Sequence, residues 1–159
     1  MEEVGSSAAP PIPVGTTRRV VCASPAYLAA RGAPRTPEDL AKHDCITYAA
    51  FGAPDVWTFV RDNATIAVHV NTRLVVGSAE AAYAAARAGI GITIAFAYQL
   101  QADSEGGALT TVLDDFQPAR PVNLVYAANR FLPIKVRAFL DFSTPRLKRI
   151  FAESKPPRR

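Results

Sequence analysis

The clearest hydrophobic pattern in the chain runs from Leu74 to Ala95. Leu74–Val76 and Ile90–Ala95 are short apolar runs rich in β-branched residues, which is typical of buried strands. Between them, Ala79–Ala88 contains seven alanines in ten residues, with an acidic residue in its first turn and a basic one in its last. This order predicts a strand–helix–strand crossover and therefore a parallel sheet.

The turn between this first strand and the helix is the candidate ligand site. Ser78 is a favoured helix N-cap, and Gly77 ends the strand before it. In parallel sheets, ligands bind beyond the carboxyl ends of strands and near helix N-termini. Gly77, Ser78 and Ala79 are therefore the predicted contacts, and Ser78 either caps the helix only or also binds a ligand.

The remaining pattern predicts further short elements. Ser24-Pro25 and Thr36-Pro37 each combine an N-cap with proline at the first helical position. Val56–Val60 and Thr65–Val70 predict a hairpin. Residues 1–16 are rich in Pro and Gly and predict a linker or disordered end. The other predicted elements are strands at Arg18–Ala23, Cys45–Tyr48, Leu109–Leu113 and Val122–Ala127, and helices at Tyr98–Glu105 and from Pro133 onward.

The last predicted helix carries apolar residues at helical spacing. They are expected to lie on one face, and they are Val136, Phe139, Leu140 and Leu147. Pro145 falls within this pattern, so a kink or a break near Ser143-Thr144 is expected.

Charge and length narrow the class of protein. The chain has 159 residues, enough for one domain or two small lobes, and it contains no apolar run of the ~20 residues that span a bilayer. Residues 145–159 carry a net charge of +5, whereas the rest carries −1. A globular domain that binds duplex DNA normally has a basic face, whereas residues 1–144 carry a slight negative charge overall. The basic tail is therefore interpreted as a solvated end and not as a DNA-binding arm. No secretory signal is visible at the start, and a cytoplasmic, non-membrane protein is expected.

Candidate chemistry is sparse. Cys22 and Cys45 lie in strand-like contexts and are expected to be packed thiols, with a disulfide as the open alternative. No Cys or His stands at ligand spacing from another, so neither a metal nor a cofactor is expected. Ser24, His43 and Asp44 could form a triad only if two apparent helix-end residues had another role, and no enzyme is predicted.

Six segments occur in an order and spacing typical of one family. They are R-R-V-V-C-A-S-P-A-Y-L-A-A-R-G, P-R-T-P-E-D-L-A-K-H-D-C-I-T-Y, W-T-F, R-L-V-V-G-S-A-E-A-A-Y-A-A-A-R-A-G-I-G-I, L-V-Y and K-V-R-A-F-L-D-F. Together, over roughly Val14 to Phe151, they resemble the LysR-type transcriptional regulators.

The resemblance implies an α/β fold of the type 2 periplasmic-binding-protein class, in which two lobes enclose a small-molecule cleft. It also implies an N-terminal DNA-binding domain, and neither that domain nor the first part of the first lobe is expected within this sequence. The implied organisation is a second lobe at 17–115, the C-terminal strand and helix of the first lobe at 116–152, and a basic tail at 153–159. An incomplete first lobe would expose apolar surface, so dimerisation, swapping or unusual packing of the last helix is expected.

In this family the strand–helix turn faces the cleft, which implies that Ser78 and its neighbours contact a carboxylate effector. Thr93, Ala95 and Phe96 would lie where the next strand approaches the cleft, although core packing is the favoured role of Phe96. Family members often carry Asn or another polar residue at the position of Gly77.

The implied function is an effector-sensing domain that binds a small anion or aromatic acid and alters the dimer or tetramer geometry of the full regulator. DNA would be bound only through the absent domain. The alternatives are a stand-alone solute-binding protein and a truncated regulator that pairs with an intact one.

Overall fold

The computed structural model describes residues 10–48, 55–100, 106–127 and 132–153, and it has a mixed α/β fold. The chain divides into two compact units. We call Arg18–Ala119 the sheet unit, and Met1–Thr17 together with Arg120–Arg159 the helix unit.

The sheet unit is built on a five-stranded mixed sheet with the order β6-β3-β7-β2-β8. Its strands are β2 (Arg19–Ala23), β3 (Cys45–Tyr48), β6 (Thr72–Val76), β7 (Ile92–Phe96) and β8 (Thr110–Val112). β3 is parallel to both β6 and β7, whereas β2 is antiparallel to β7 and to β8. The carboxyl ends of β3, β6 and β7 therefore lie at one edge of the sheet, which we call the carboxyl edge.

The predicted crossover is confirmed. β6 leads into α2 (Ala79–Arg87), which returns the chain to β7, and β3 lies between the two strands. α2 buries Ala82, Tyr83 and Ala86 against the sheet, because residues three and four apart share one helix face. β6 is an edge strand, so Val75 remains 54% exposed and the expectation of a fully buried strand is wrong there.

Two hydrophobic clusters cover the two faces of this sheet. On the α2 face, Ile46 and Ala95 pack with the buried residues of α2. On the opposite face, Trp57 and Phe59 of a hairpin pack against Cys45 and its neighbours. The elements of that face are α1 (Pro25–Arg31), the 3-10 helix Pro37–Lys42 and the strands β4 (Val56–Arg61) and β5 (Ala64–His69).

Local sequence signals account for these connections. Ser24 caps α1 by accepting a hydrogen bond from the Tyr27 N–H at 3.2 Å, and Pro25 opens the helix. Asp62 and Asn63 have positive φ and form the predicted hairpin turn, a conformation that Asx residues tolerate. The helix predicted at Tyr98–Glu105 is instead a 3-10 turn at Ala97–Gln99, and its residues 101–105 lie outside the described part of the chain.

The helix unit consists of two strands and one helix in its described residues. β1 (Ile12–Thr17) pairs antiparallel with β9 (Arg120–Leu124), and α3 (Ile134–Glu153) packs against β1. The expected linker over residues 1–16 is therefore wrong from Ile12 onward, because the Pro- and Gly-rich composition did not reveal a pairing partner more than a hundred residues away. Residues 1–9 of that linker and 154–159 of the basic tail lie outside the described residues.

α3 also differs from its predicted form. The helix continues through Pro145, so no break occurs at Ser143-Thr144. Leu140 is buried, but Phe139 is 61% exposed, and the two residues therefore do not share one buried face as predicted. No helix in the described ranges is long and apolar enough to cross a membrane.

Candidate functional site

The turn Gly77–Ala79 joins the carboxyl end of β6 to the amino end of α2. Ser78 has extended backbone, and its hydroxyl accepts a hydrogen bond from the Ala81 N–H at 3.2 Å. Its carbonyl accepts one from Ala82 at 3.2 Å. Since the first N–H groups of a helix have no partner within the helix, those of Ala79 and Glu80 can bind an anion. The cap and a ligand role are therefore compatible.

Gly77 leaves this turn open. It is exposed, and a Cβ added to it would meet no atom within 4 Å. Its φ is not in the left-handed region, so neither packing nor backbone conformation requires glycine here. The missing side chain instead leaves the backbone of the turn accessible to another molecule.

Thr93 and Ala95 lie inside the protein. Both are fully buried, and the Thr93 hydroxyl donates a hydrogen bond to the Ile46 carbonyl at 2.9 Å. Ala95 packs in the α2-face cluster with Tyr83. These two side chains support β7 from within, and the surface of the candidate site is formed by the turn and by Phe96.

Phe96 ends β7 and is half-buried. Its ring stacks on Tyr98 with a centroid distance of 5.8 Å, and Tyr98 is 40% exposed. The Gln99 side-chain oxygen accepts hydrogen bonds from the Tyr83 hydroxyl at 2.7 Å and from the Phe96 N–H at 3.4 Å. Tyr83 of α2 therefore fixes the segment that follows β7.

The tyrosines near this edge were not predicted as site residues. Burial raises the pKa of Tyr48, and the nearby Tyr98 and Glu80 raise it further. Burial likewise raises the pKa of Tyr83, so both phenols are neutral. The sequence signal that could have found Tyr48 is an aromatic residue at the end of the predicted strand Cys45–Tyr48, next to the already predicted Phe96 that follows Ala95; Tyr83 has no such signal. Together these aromatic residues give the carboxyl edge an apolar, aromatic character beside the helix N-terminus.

The other chemical candidates have structural roles. The Tyr27 hydroxyl lies 3.3 Å from His43 Nδ1 and accepts a hydrogen bond from the Asp44 N–H at 3.0 Å. Ser24 caps α1, so Ser24, His43 and Asp44 are not linked as a triad. Burial first, and the charge of Arg31 second, lower the pKa of His43.

The two cysteines are reduced and buried in separate clusters. Cys22 packs in the α2-face cluster and Cys45 in the hairpin-face cluster, so the sheet separates their side chains and they cannot form a disulfide in this fold. Burial raises the pKa of Cys45 to about 12. Among the described residues, no group of three His, Cys, Asp or Glu side chains could hold a metal ion.

The curated proteins to which this chain is similar are transcriptional regulators. An uncharacterised HTH-type transcriptional regulator, YcaN of Escherichia coli K12, is 32% identical over 124 residues, which are 77% of this chain and 40% of that protein. The chain thus spans less than half the length of this curated relative. Its relatives are transcriptional regulators and not enzymes.

Solved structures agree with this result. The regulatory domain of CrgA, a LysR-type transcriptional regulator from Neisseria meningitidis, matches with a TM-score of 0.72 and 26% identity, covering 92% of this chain and 72% of that domain. The CcmR regulatory domain of Synechocystis PCC6803, solved in complex with 2-PG, has the same fold with a TM-score of 0.62 and 19% identity over 98% of this chain and 71% of that one.

These structures have the periplasmic-binding-protein-like type 2 fold, which is the predicted fold class. Residues 10–148 match the LysR substrate binding domain, and the chain therefore belongs to the LysR family of transcriptional regulators, as part of its regulatory region.

Proposed function

We propose that the chain is an effector-sensing domain that binds a small anion at the Gly77–Ala79 turn. The observation that carries this proposal is the open, exposed helix N-terminus at the carboxyl edge of a parallel sheet. Backbone N–H groups and the positive end of the helix dipole favour a carboxylate or phosphate there. In this proposal the sheet unit is the second lobe, and the helix unit is the remaining part of the first lobe.

The aromatic residues beside the turn support a ligand with an apolar part. Phe96 and Tyr98 offer a stacked and partly exposed pair of rings, and the nearby tyrosines are neutral. Glu80 lies in the first turn of α2 and would repel an anion, so its carboxylate is expected to limit affinity. An aromatic acid fits both features, since its carboxylate can bind the turn and its ring can contact Phe96.

A ligand-dependent thermal shift tests this proposal. The panel contains small carboxylates, aromatic acids and 2-PG, the last because CcmR was solved with it. A ligand that binds only the folded state at about 100 times its Kd adds roughly 2.7 kcal/mol to the free energy of unfolding. The complete lack of a shift with every member of the panel, in a chain that unfolds cooperatively, would contradict the proposal.

Two serine caps provide a matched pair of variants. Ser78→Ala and Ser24→Ala each remove one cap, which costs about 0.5–2 kcal/mol of stability. Ser24 lies at the opposite end of the sheet, because β2 runs antiparallel to β7. A ligand-induced shift that is reduced by Ser78→Ala but unchanged by Ser24→Ala supports binding at the turn, whereas equal shifts in both variants assign Ser78 to capping alone. Glu80→Gln is expected to increase the shift.

Effector binding would act on the assembled regulator by population shift. A ligand changes a conformational equilibrium only through a difference in its affinity for the two states. The expected outcome for a longer protein containing this chain is therefore a change in dimer or tetramer geometry, and DNA would be contacted by another domain. Small-angle scattering of such a protein with and without the ligand identified above measures this change.

A further inference from the structure

The segment that follows β7 is tied to α2 by one side chain, that of Gln99. Its Oε1 accepts a hydrogen bond from the Tyr83 hydroxyl at 2.7 Å and another from the Phe96 N–H at 3.4 Å. A backbone N–H can only donate, so Gln99 presents its oxygen here and the Tyr83 hydroxyl is the second donor. Since burial raises the pKa of Tyr83, the phenol keeps the proton that this bond requires. We call these two hydrogen bonds the amide bridge.

The amide bridge acts on the middle of a short turn whose two ends are held independently. At one end, the Ala97 N–H donates a hydrogen bond to the Arg18 carbonyl at 3.0 Å. At the other end, Leu100 is 1% exposed and packs in the α2-face cluster. Tyr98 lies between these anchors, is 40% exposed and stacks on Phe96. Loss of the bridge should therefore move the stacked ring pair and leave the fold of the segment in place.

The ring pair lies two strands away from the turn at which we propose that an anion binds. The turn follows Val76 at the end of β6, and the rings begin with Phe96 at the end of β7, with β3 between the two strands. Neighbouring strands are about 4.8 Å apart, so the two strand ends are separated by roughly 10 Å. A small aliphatic carboxylate at the turn cannot reach the rings, whereas a carboxylate with an aromatic group on a short chain can.

The amide bridge joins the two halves of this site. Tyr83 belongs to α2, the helix whose amino end forms the turn, and Gln99 belongs to the segment that carries the rings. Tyr83 is 6% exposed, so its hydroxyl acts through Gln99 and does not itself face a ligand. We infer that Tyr83 and Gln99 are positioning residues that set the specificity of the site for aromatic over small aliphatic carboxylates. This inference rests on the proposed anion site and adds the residues that determine its preference.

Tyr83→Phe tests the inference, because it removes only the hydroxyl that the amide bridge needs. The probes are propanoate and 3-phenylpropanoate, which share a carboxylate and differ by one phenyl ring. Their Kd values are measured by NMR titration at a temperature where every variant is folded, and the readout is the ratio of the two. Damage to the turn weakens both acids together, so the ratio responds only to the contact between the ligand and the rings.

The expected result is a smaller preference for the aromatic acid. In the unaltered chain, 3-phenylpropanoate should bind more tightly than propanoate. Tyr83→Phe should reduce this preference by about two- to tenfold, the range expected for the loss of a well-placed aromatic contact. Tyr27→Phe is the matched control, because Tyr27 is also 6% exposed and its hydroxyl contacts His43 and the Asp44 N–H on the other face of the sheet. It should leave the ratio unchanged.

Two substitutions of Gln99 separate its hydrogen bonds from its shape. Leucine has no acceptor, so Gln99→Leu should lower the ratio as much as Tyr83→Phe does, and the double variant should lower it no further. Glutamate keeps an acceptor oxygen for both donors, so Gln99→Glu should retain the ratio. Its negative charge should weaken the binding of both acids equally.

Several outcomes would overturn the inference and leave the proposed anion site standing, since both acids would still bind. They are equal affinities in the unaltered chain, a ratio that Tyr83→Phe lowers no more than Tyr27→Phe does, and a loss of the ratio in Gln99→Glu as large as in Gln99→Leu. If neither acid nor any other member of the ligand panel binds, the proposed function and this inference are both wrong.

Discussion

The two units of this chain differ in how much apolar surface they bury. The sheet unit contains both hydrophobic clusters found in the described residues, one on each face of its sheet. The helix unit contributes only Val14 and Leu140 to the buried apolar residues, although α3 is the longest helix described. Since each fully buried large apolar side chain contributes roughly 1.5–3 kcal/mol, the stability of the chain resides mainly in the sheet unit.

This difference teaches that a single family match, here over residues 10–148, can include two units that bury very different amounts of apolar surface. The sheet unit contains all the candidate ligand contacts and the packing that supports them. The helix unit contains secondary structure with large apolar side chains that are exposed, such as Phe139 and Phe142. Substitutions of the same type are therefore expected to have different effects in the two units.

Each unit has its own spectroscopic probe. Trp57, the only tryptophan, is buried in the sheet unit, and its fluorescence reports the unfolding of that unit. α3 has 20 residues, compared with 7 in α1 and 9 in α2, and therefore dominates the helical circular dichroism signal.

The largest expected effect compares two phenylalanines. Phe59 is 1% exposed in the sheet unit and Phe142 is 59% exposed in the helix unit. Phe59→Ala should lower the free energy of unfolding by about 3–5 kcal/mol, because it leaves a cavity in a packed cluster. Phe142→Ala should change it by less than about 0.5 kcal/mol. Urea unfolding followed by fluorescence and circular dichroism measures both, and equal losses would mean that the units do not differ as described.

Replacing Pro145 by alanine should stabilise only the helix unit. Pro145 lies inside α3, has no N–H to donate to the carbonyl four residues earlier, and is exposed. Proline is about 3 kcal/mol less favourable than alanine in a helix interior, so Pro145→Ala should stabilise α3 by up to that amount. The expected observation is a higher midpoint of the circular dichroism transition with an unchanged Trp57 transition. A decrease in helicity would contradict a continuous helix through this position.

Two glycines allow a comparison of close contacts. A Cβ at Gly91 would clash with the backbone carbonyl of Asp44, and a Cβ at Gly15 would clash with the Phe151 side chain. A backbone carbonyl held beside a strand cannot move away, so Gly91→Ala should cost about 1–3 kcal/mol or more in the Trp57 transition. Gly15→Ala should cost less, because α3 has few other contacts to lose when it shifts. Its effect should appear in the circular dichroism transition and leave Trp57 fluorescence unchanged.

The smallest expected effect is a pH dependence of the sheet unit. Burial lowers the pKa of His43, so the unfolded chain binds a proton more readily than the folded chain does. The contribution of neutral His43 is therefore complete above its ordinary pKa of about 6.5 and is lost as the pH falls from there towards the lower folded value. His43→Gln should flatten the dependence of the Trp57 unfolding midpoint on pH in this window. An unchanged pH dependence in the His43→Gln variant would contradict this expectation.

The parts of the fold that depend on neighbouring residues could be predicted from the sequence. Ser24-Pro25 starts a helix and Asp62-Asn63 makes a hairpin turn, as the local pattern indicated. The crossover from β6 through α2 to β7 followed from residue spacing alone, but the position of β3 between these strands did not. β1 was missed because Gly15 and its neighbouring prolines mask a strand whose partner lies at the other end of the chain.

The candidate site was predictable only in part, for a similar reason. Ser78 has a local signal, the start of a helix after a strand. Thr93 and Ala95 were expected at the cleft from their place in the strand, but both are fully buried: Ala95 packs in the α2-face cluster, and the Thr93 hydroxyl donates a hydrogen bond to the Ile46 carbonyl. The interaction of Tyr83 with Gln99, which shapes the edge next to Phe96, joins residues from two elements and has no signature in either segment.

The empty space around Gly77 has a consequence for selectivity. Because an added Cβ there would meet no atom within 4 Å, substitutions at this position should be nearly neutral for folding and yet lie beside the helix N-terminus at which we propose that an anion binds. Recognition can consequently be altered at this one position without repacking the core. A saturation library at residue 77 thus offers a way to retune the ligand preference of a biosensor built on this domain.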